Sequence, residues 1–255
     1  RLGELRPAIY FLQKNHIQHA YSNYRHAYRL NYLTDNQLIV STPYNERFQS
    51  WPIPYKTEVD QSQNVAYVLS QDSGYLTPDT FKRHMTQMHV TSQEVMFYGL
   101  SIFYNFQSEY NSEIKIDPNM IQAFASTNQP DTHLINDGLY TKKYWRTLDV
   151  KQHPGMWIEL QLKDFLPLSC IALHYGDFPE GERPYLHFMI HTQTGWKTIL
   201  KHKRIESDKF QFLNNHPVYS LAVDQVKTLR FDPTLADKVR IEIVRAHTKR
   251  SWKIG

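Results

Sequence analysis

Hydrophobic positions in the first hundred residues switch between two periods, and each switch marks an element. Across residues 7–16, Ala8, Ile9, Phe11 and Leu12 fall on one side of a helix whose first turn suits Pro7. Residues 17–21 make a short apolar strand. Ser22 or Asn23 then caps a helix carrying Tyr24, Ala27, Tyr28 and Leu30. Leu38, Ile39 and Val40 place a buried strand over 36–42, ended by Pro43, and residues 65–70 form another. Thr77-Pro78-Asp79 opens a helix with Phe81, Met85 and Met88 at i, i+4 and i+7, and residues 94–98 return to strand. Helix, strand, helix, strand, strand, helix, strand predicts a small α/β domain with a mainly parallel sheet. Residues 44–64, rich in Pro, Gln and Ser, form a long connection within it.

The period changes near Tyr110. Residues 111–118 are a linker or lead-in strand punctuated by Pro118. Beyond them, short strands at 157–162, 170–175, 185–191, 195–200 and 239–244 alternate with turn residues. That spacing predicts an antiparallel β-sandwich. The expected organisation is an α/β domain over 1–110 and an all-β sandwich over 111–255.

Composition supports two folded domains. A chain of 255 residues with 41% hydrophobic and 21% charged residues buries a real core, which excludes wholesale disorder. The longest apolar candidate, 95–106, is broken by Gly99, Ser101 and Asn105, so no segment spans a bilayer as a helix. A net charge of +4 permits attraction to phosphate or anionic lipid without demanding it. The 17 Tyr, 13 Phe and 5 Trp favour strands and flat stacking surfaces. The chain opens on Arg1 without a signal-peptide pattern, and is expected to be a piece of a longer protein. Cys170, the single cysteine, excludes an internal disulfide and fits an inert strand position.

Candidate chemistry is sparse. No glycine-rich phosphate loop follows any strand, and neither a zinc-protease motif nor a nucleophile elbow is present. Among the 13 histidines, His187 and His191 share a strand face about 13 Å apart, too far for one zinc. His84 and His89 diverge by roughly 140° around a helix, and His16 and His19 lack a third ligand nearby in sequence. Asp137, Asp149, Asp177 and Glu180 are carboxylates that could line one end of the sandwich, without a local catalytic signature. The basic stretch 197–204 and the tail 247–253 suit either anionic headgroups or a lysine-guarded strand edge. No helix-turn-helix or RNA-binding signature appears, so nucleic acid is not an expected partner.

Two resemblances follow. Ala125-Ser126, Asp137-Gly138, Trp145-Arg146-Thr147, the run from Gln152 to Trp157, Gly195-Trp196, Leu229-Arg230-Phe231, Arg240 to Ile243 and Ser251 to Ile254 lie in order along the second half. In that order they resemble the discoidin, or coagulation-factor C-type, domain, a galactose-binding-like jelly roll. The resemblance implies ligand-binding loops containing Trp145, Arg146, His174, Tyr175, Asp177, Arg183 and Tyr185. Arg146 stands where galactose-binding relatives often have histidine. The competing reading makes Trp145 and Tyr185 core residues and pairs Arg146 and Arg183 with acids. Asp137 is a turn residue or a structural calcium ligand. The stretch Tyr21, Tyr24, Ala27, Tyr28 and Leu30, followed by the strand ending at Ser41 and Pro43, resembles the soluble tail of bacterial multi-spanning glycosyltransferases that use polyprenyl-phosphate sugars. Together they imply a non-catalytic, extracytoplasmic (periplasmic) region of such an enzyme. It would bind glycan or lipid-linked sugar beside the membrane portion of the same parent chain. A purely structural module and a secreted carbohydrate-binding protein are the alternatives.

Overall fold

The computed structural model describes residues 4–46, 51–72, 76–110, 113–136, 144–176, 178–220, 225–246 and 251–254. The chain divides into two units, Arg1–Glu113 with Lys209–Tyr219, and Ile114–Asp208 with Ser220–Gly255. The first unit runs α1 (Arg6–Lys14), β1 (His19–Ser22), α2 (Tyr24–Leu33), β2 (Ile39–Ser41), α3 (Lys56–Gln61), β3 (Val65–Ser70), α4 (Pro78–Gln87), β4 (Val90–Phe97) and β5 (Leu100–Ser108). Local chemistry sets the helix starts: the Asn23 side chain accepts from the His26 N–H at 2.9 Å, and Thr77 accepts from Thr80 ahead of Pro78. The connection expected over 44–64 contains α3. Tyr28, expected on the apolar side of α2, is exposed, and Asn31 is buried in its place. There Asn31 donates to the Val40 carbonyl and accepts from the Val40 N–H.

The sheet is mixed, which corrects the expectation of a mainly parallel one. Its order is β2-β1-β3-β5-β4. β1 lies parallel to β2 and β3, whereas β5 is antiparallel to both β3 and β4. The cause is the turn at Tyr98-Gly99, both at positive φ (45° and 80°), which closes a tight hairpin and inserts β5 next to β3. Strand alternation then splits the core. Ala20, Ala66, Val68 and Ile102 meet α1 and α2 residues on one face; Tyr21, Tyr67, Leu69 and Phe103 meet Phe81 and Met85 of α4 on the other.

The second unit contains β6 (Ile121–Ala125), β7 (Trp145–Lys151), β8 (Trp157–Gly176), β9 (Tyr185–Thr192) and β10 (Gly195–Arg204). After β11 (Phe210–Leu213) and β12 (His216–Tyr219) it resumes with β13 (Gln225–Arg245) and β14 (Ser251–Ile254). β10-β9-β13-β8-β6 form an antiparallel sheet, and β7 pairs with β14 in a second, two-stranded one. Trp145, Tyr175, Phe188, Ile241 and Trp252 belong to the core that both sheets share. This is a β-sandwich. The strands expected at 157–162 and 170–175 are one strand of 20 residues. Register shifts against β13 absorb the irregularity, and Pro167 sits there opposite Leu235.

The hairpin β11–β12 belongs to the first unit, although it lies within the stretch expected to be sandwich. Phe210 joins the face with Tyr67 and Phe81, and the Tyr67 hydroxyl donates to the Pro217 carbonyl at 2.7 Å. Asp60 of α3 accepts from the Tyr21 hydroxyl and from Lys56 Nζ at 2.8 Å, while its backbone carbonyl accepts from Asn214. Burial holds the Tyr21 and Tyr67 phenols well above their usual range, so both stay protonated donors.

Candidate functional site

Alternation along the sandwich strands decides which of the expected site residues meet solvent. Trp145 points inward from β7, packs edge-on against Trp252 at 5.7 Å and donates its indole N–H to the Asn128 carbonyl. Tyr175 points inward from β8. Arg183 is wholly buried, with its guanidinium 4.0 Å from the Tyr175 ring centroid. It donates to the Phe178 carbonyl at 3.0 Å, to the Ile205 carbonyl at 3.1 Å and to the Gln225 side chain. These three side chains serve the core; of the acids near Arg183 in sequence, Asp177 and Glu180 lie outside the described side chains.

Arg146 is exposed on β7. His174 is half-buried on β8, where burial and then Lys115 lower its pKa to about 4. Tyr185 is half-buried on β9 and lies beneath two guanidiniums, Arg204 at 5.1 Å and Arg245 at 5.4 Å. Asp177 and Asp137 lie outside the described residues, as do the side chains of Asp149 and Glu180 and the tail residues 247–250. Arg146 stands on the two-stranded sheet and Tyr185 on the five-stranded one. Cys170 is half-buried on β8.

What does gather is a set of side chains on the outer face of the five-stranded sheet. Phe188, Ile190, Val239 and Ile241 face the core, so Tyr185, His187, His191, Lys238 and Arg240 face outward. Cross-strand register sets Glu159 opposite Arg240, and Lys238, His191 and Trp196 in a row. The Arg240 guanidinium lies 4.9 Å from the Trp157 ring centroid and 5.2 Å from that of Trp196. Its Nε and Nη2 reach Glu159 Oε2 at 2.8 and 2.6 Å, and Lys238 reaches Oε1 at 3.6 Å. His191 Nδ1 meets Asp237 Oδ1 at 2.7 Å and turns its ring edgewise to Trp196. His187 bonds Thr198 Oγ1 at 3.0 Å.

Trp196 is 43% exposed on the edge strand β10, with its orientation fixed by neighbours on two other strands. Such a flat, braced indole beside fixed polar groups can stack on an apolar ring face and bond to hydroxyls around it. Arg204 and Arg245 have no ion pair among the described residues, so the face also offers cationic forks to an acidic substituent. Sequence reasoning placed Trp157, Trp196 and Arg240 in three separate strands and left them unconnected. The signal was the outward alternation of Trp157-x-Glu159, Lys238-x-Arg240 and Trp196-x-Thr198, which becomes a site only once the pairing is known. The basic stretch 197–204 occupies the sheet edge, where lysines discourage further strand pairing. Among the described residues no three His, Cys, Asp or Glu come together as a metal site, and no helix is long and apolar enough to cross a membrane.

No family model matches the chain, and no curated protein matches it. Solved structures similar to part of it include carbohydrate-binding modules. The family 32 module of Clostridium perfringens NanJ, solved with galactose, is 13% identical over 54% of this chain and 90% of its own, with a TM-score of 0.37. CBM32-3 from a family 31 glycoside hydrolase of the same organism gives 12%, 58%, 94% and 0.39. Another Clostridium perfringens module, in complex with GalNAc-β-1,3-galactose, gives 15%, 54%, 96% and 0.35. Similarity at this level leaves the function to be argued from the chain's own residues.

Proposed function

We propose that this chain is a carbohydrate-binding region whose sandwich takes glycan on the outer face of its five-stranded sheet. The observation that carries the reading is the ladder Trp157–Arg240–Trp196, which ends in a half-exposed indole beside His191 and Thr198. A pyranose presents an apolar face to such an indole and a ring of hydroxyls to the polar groups around it. Tyr185 with Arg204 and Arg245 extends the surface and favours sugars that carry an acidic group.

The reading is one of binding rather than catalysis. Two carboxylates on this face are already engaged, Glu159 by Arg240 and Lys238, and Asp237 by His191; Glu242, which alternation also turns outward beside Trp157 and His187, is a single carboxylate where a glycosidase uses a pair. We further propose the extracytoplasmic side of a membrane glycosyltransferase as its setting, where a lipid-linked sugar or glycan acceptor is the ligand. That part rests on the resemblance of residues 21–43; a secreted carbohydrate-binding protein is about as well supported.

A glycan-array screen of the chain, with and without calcium, followed by calorimetry on the hits, tests the binding. A specific hit is expected, weakened at least about tenfold by Trp196→Ala, an exposed edge position whose loss leaves the core intact. An empty array, or a hit that Trp196→Ala binds equally well, overturns the reading in favour of a structural module.

A further inference from the structure

We infer that the first unit carries a second recognition site, a carboxamide-lined cleft that takes an uncharged oligosaccharide. The cleft opens beside the start of β3 and has a volume of about 450 Å³, within the about 300–1,000 Å³ usual for small-ligand sites. Val65 and Phe106 are its apolar members. Every other lining side chain is polar and uncharged, and six are primary carboxamides: Gln63, Asn64, Gln93, Asn105, Gln107 and Asn215. They converge from β4, β5, the turn before β3 and the β11–β12 hairpin, all within one unit.

The backbone departs from regular pairing where the cleft is built. The β4–β5 ladder shifts register between Thr91 and Gln93. Asn105 takes a positive φ of 52° in mid-strand, and Asn215 one of 64° at the hairpin tip. Bulges of this kind re-aim side chains. Asn105 donates to Gln93 Oε1 at 3.0 Å, and Asn64 to the His16 carbonyl at 3.2 Å. Among the described residues the amides of Gln63, Gln107 and Asn215 bond to no protein group, so the cleft keeps both donors and acceptors for a ligand.

A carboxamide offers one acceptor and two donors in a plane, without charge. Neighbouring sugar hydroxyls are its complement, since each both donates and accepts. A phosphate or carboxylate would meet no cation here, and an apolar ligand would strand the amides. An extended peptide would add along β4, the open edge of the sheet, but the bulge at 91–93 breaks that ladder at the cleft. None of these residues belongs to the sandwich face, so the inference stands independently of the function proposed above.

The test is a titration of the full chain with maltotetraose, cellotetraose, xylotetraose and mannotetraose, and with tetragalacturonate as the acidic counterpart. The readout is the side-chain NH₂ resonances of Gln63, Gln107 and Asn215. At least one neutral tetrasaccharide is expected to shift them saturably, in the parent and in Trp196→Ala alike. The Gln63→Ala/Gln107→Ala double variant is expected to weaken that binding roughly tenfold with an unchanged melting temperature. The inference is overturned if no neutral sugar moves these resonances, if tetragalacturonate moves them more, or if the double variant binds as the parent does. Binding that Trp196→Ala abolishes while the cleft resonances stay still also overturns it, and leaves the sandwich reading intact.

Discussion

Arg183 shows how the same residue type serves opposite ends. A buried guanidinium holding two carbonyls, a glutamine and an aromatic ring fixes three segments of the sandwich. Arg183→Ala leaves those acceptors buried and unsatisfied, and is expected to cost about 3–5 kcal/mol in denaturant unfolding. Arg183→Lys should recover little, because an ammonium lacks the fork. His174 gives a pH signature. Its folded pKa of about 4 lies below the ordinary value of 6.5, so between those limits the unfolded chain binds more protons. Stability should be full above pH 6.5, fall as pH drops towards 4, and level off below. His26, His84 and His216, all lowered chiefly by burial, tilt the same way. Replacing His174 by Gln should flatten that acid slope in thermal melts taken from pH 7 to 4, and an unchanged slope would show that His174 does not contribute to it. Trp145 and Trp196 explain why the site was only partly legible. In sequence Trp196 lies in a predicted strand and Trp145 in a motif of the resemblance, but which face each takes depends on pairing with strands elsewhere in the chain.

Elements were legible where local chemistry decides them. The unbroken apolar run of β3 marks a central strand, buried at all six positions, and Thr77-Pro78 marks the start of α4. The β4–β5 hairpin was not legible, because Tyr98-Gly99 lacks the Asn-Gly or Asp-Gly signal for its turn. Nor was the length of β8, since Pro167 reads as a stop until a bulge is seen to accommodate it. The β11–β12 hairpin carries the sharpest consequence. Phe210 is 2% exposed and meets Tyr67, Phe81 and Tyr219 at ring distances of 5.2–6.2 Å. Phe210→Ala should therefore cost about 3–5 kcal/mol, and the cost should fall on the first unit. Hydrogen exchange checks the location: β3, α4 and β5 should lose protection while β9 and β13 keep theirs.

At the scale of the molecule, the chain enters the second unit at Ile114, returns to the first for Lys209–Tyr219, and leaves it again at Ser220. A cut near residue 110, where the hydrophobic period changes, therefore separates the first unit from part of its own core. Without the hairpin, the face made by Tyr67, Phe81, Phe103 and Phe106 loses Phe210, and the Tyr67 hydroxyl loses the Pro217 carbonyl. A buried phenol without its acceptor and an uncovered aromatic face both favour a loosely packed state. Residues 1–113 alone should bind a hydrophobic dye and melt without a sharp transition. The same residues joined to 209–219 through a flexible linker should melt cooperatively and exclude the dye. Equal cooperativity in the two proteins would show that the hairpin merely rests on a unit already complete. A gain on adding residues 209–219 would show that the first unit's core is closed by chain from beyond residue 208, which a boundary drawn from composition alone cannot reveal.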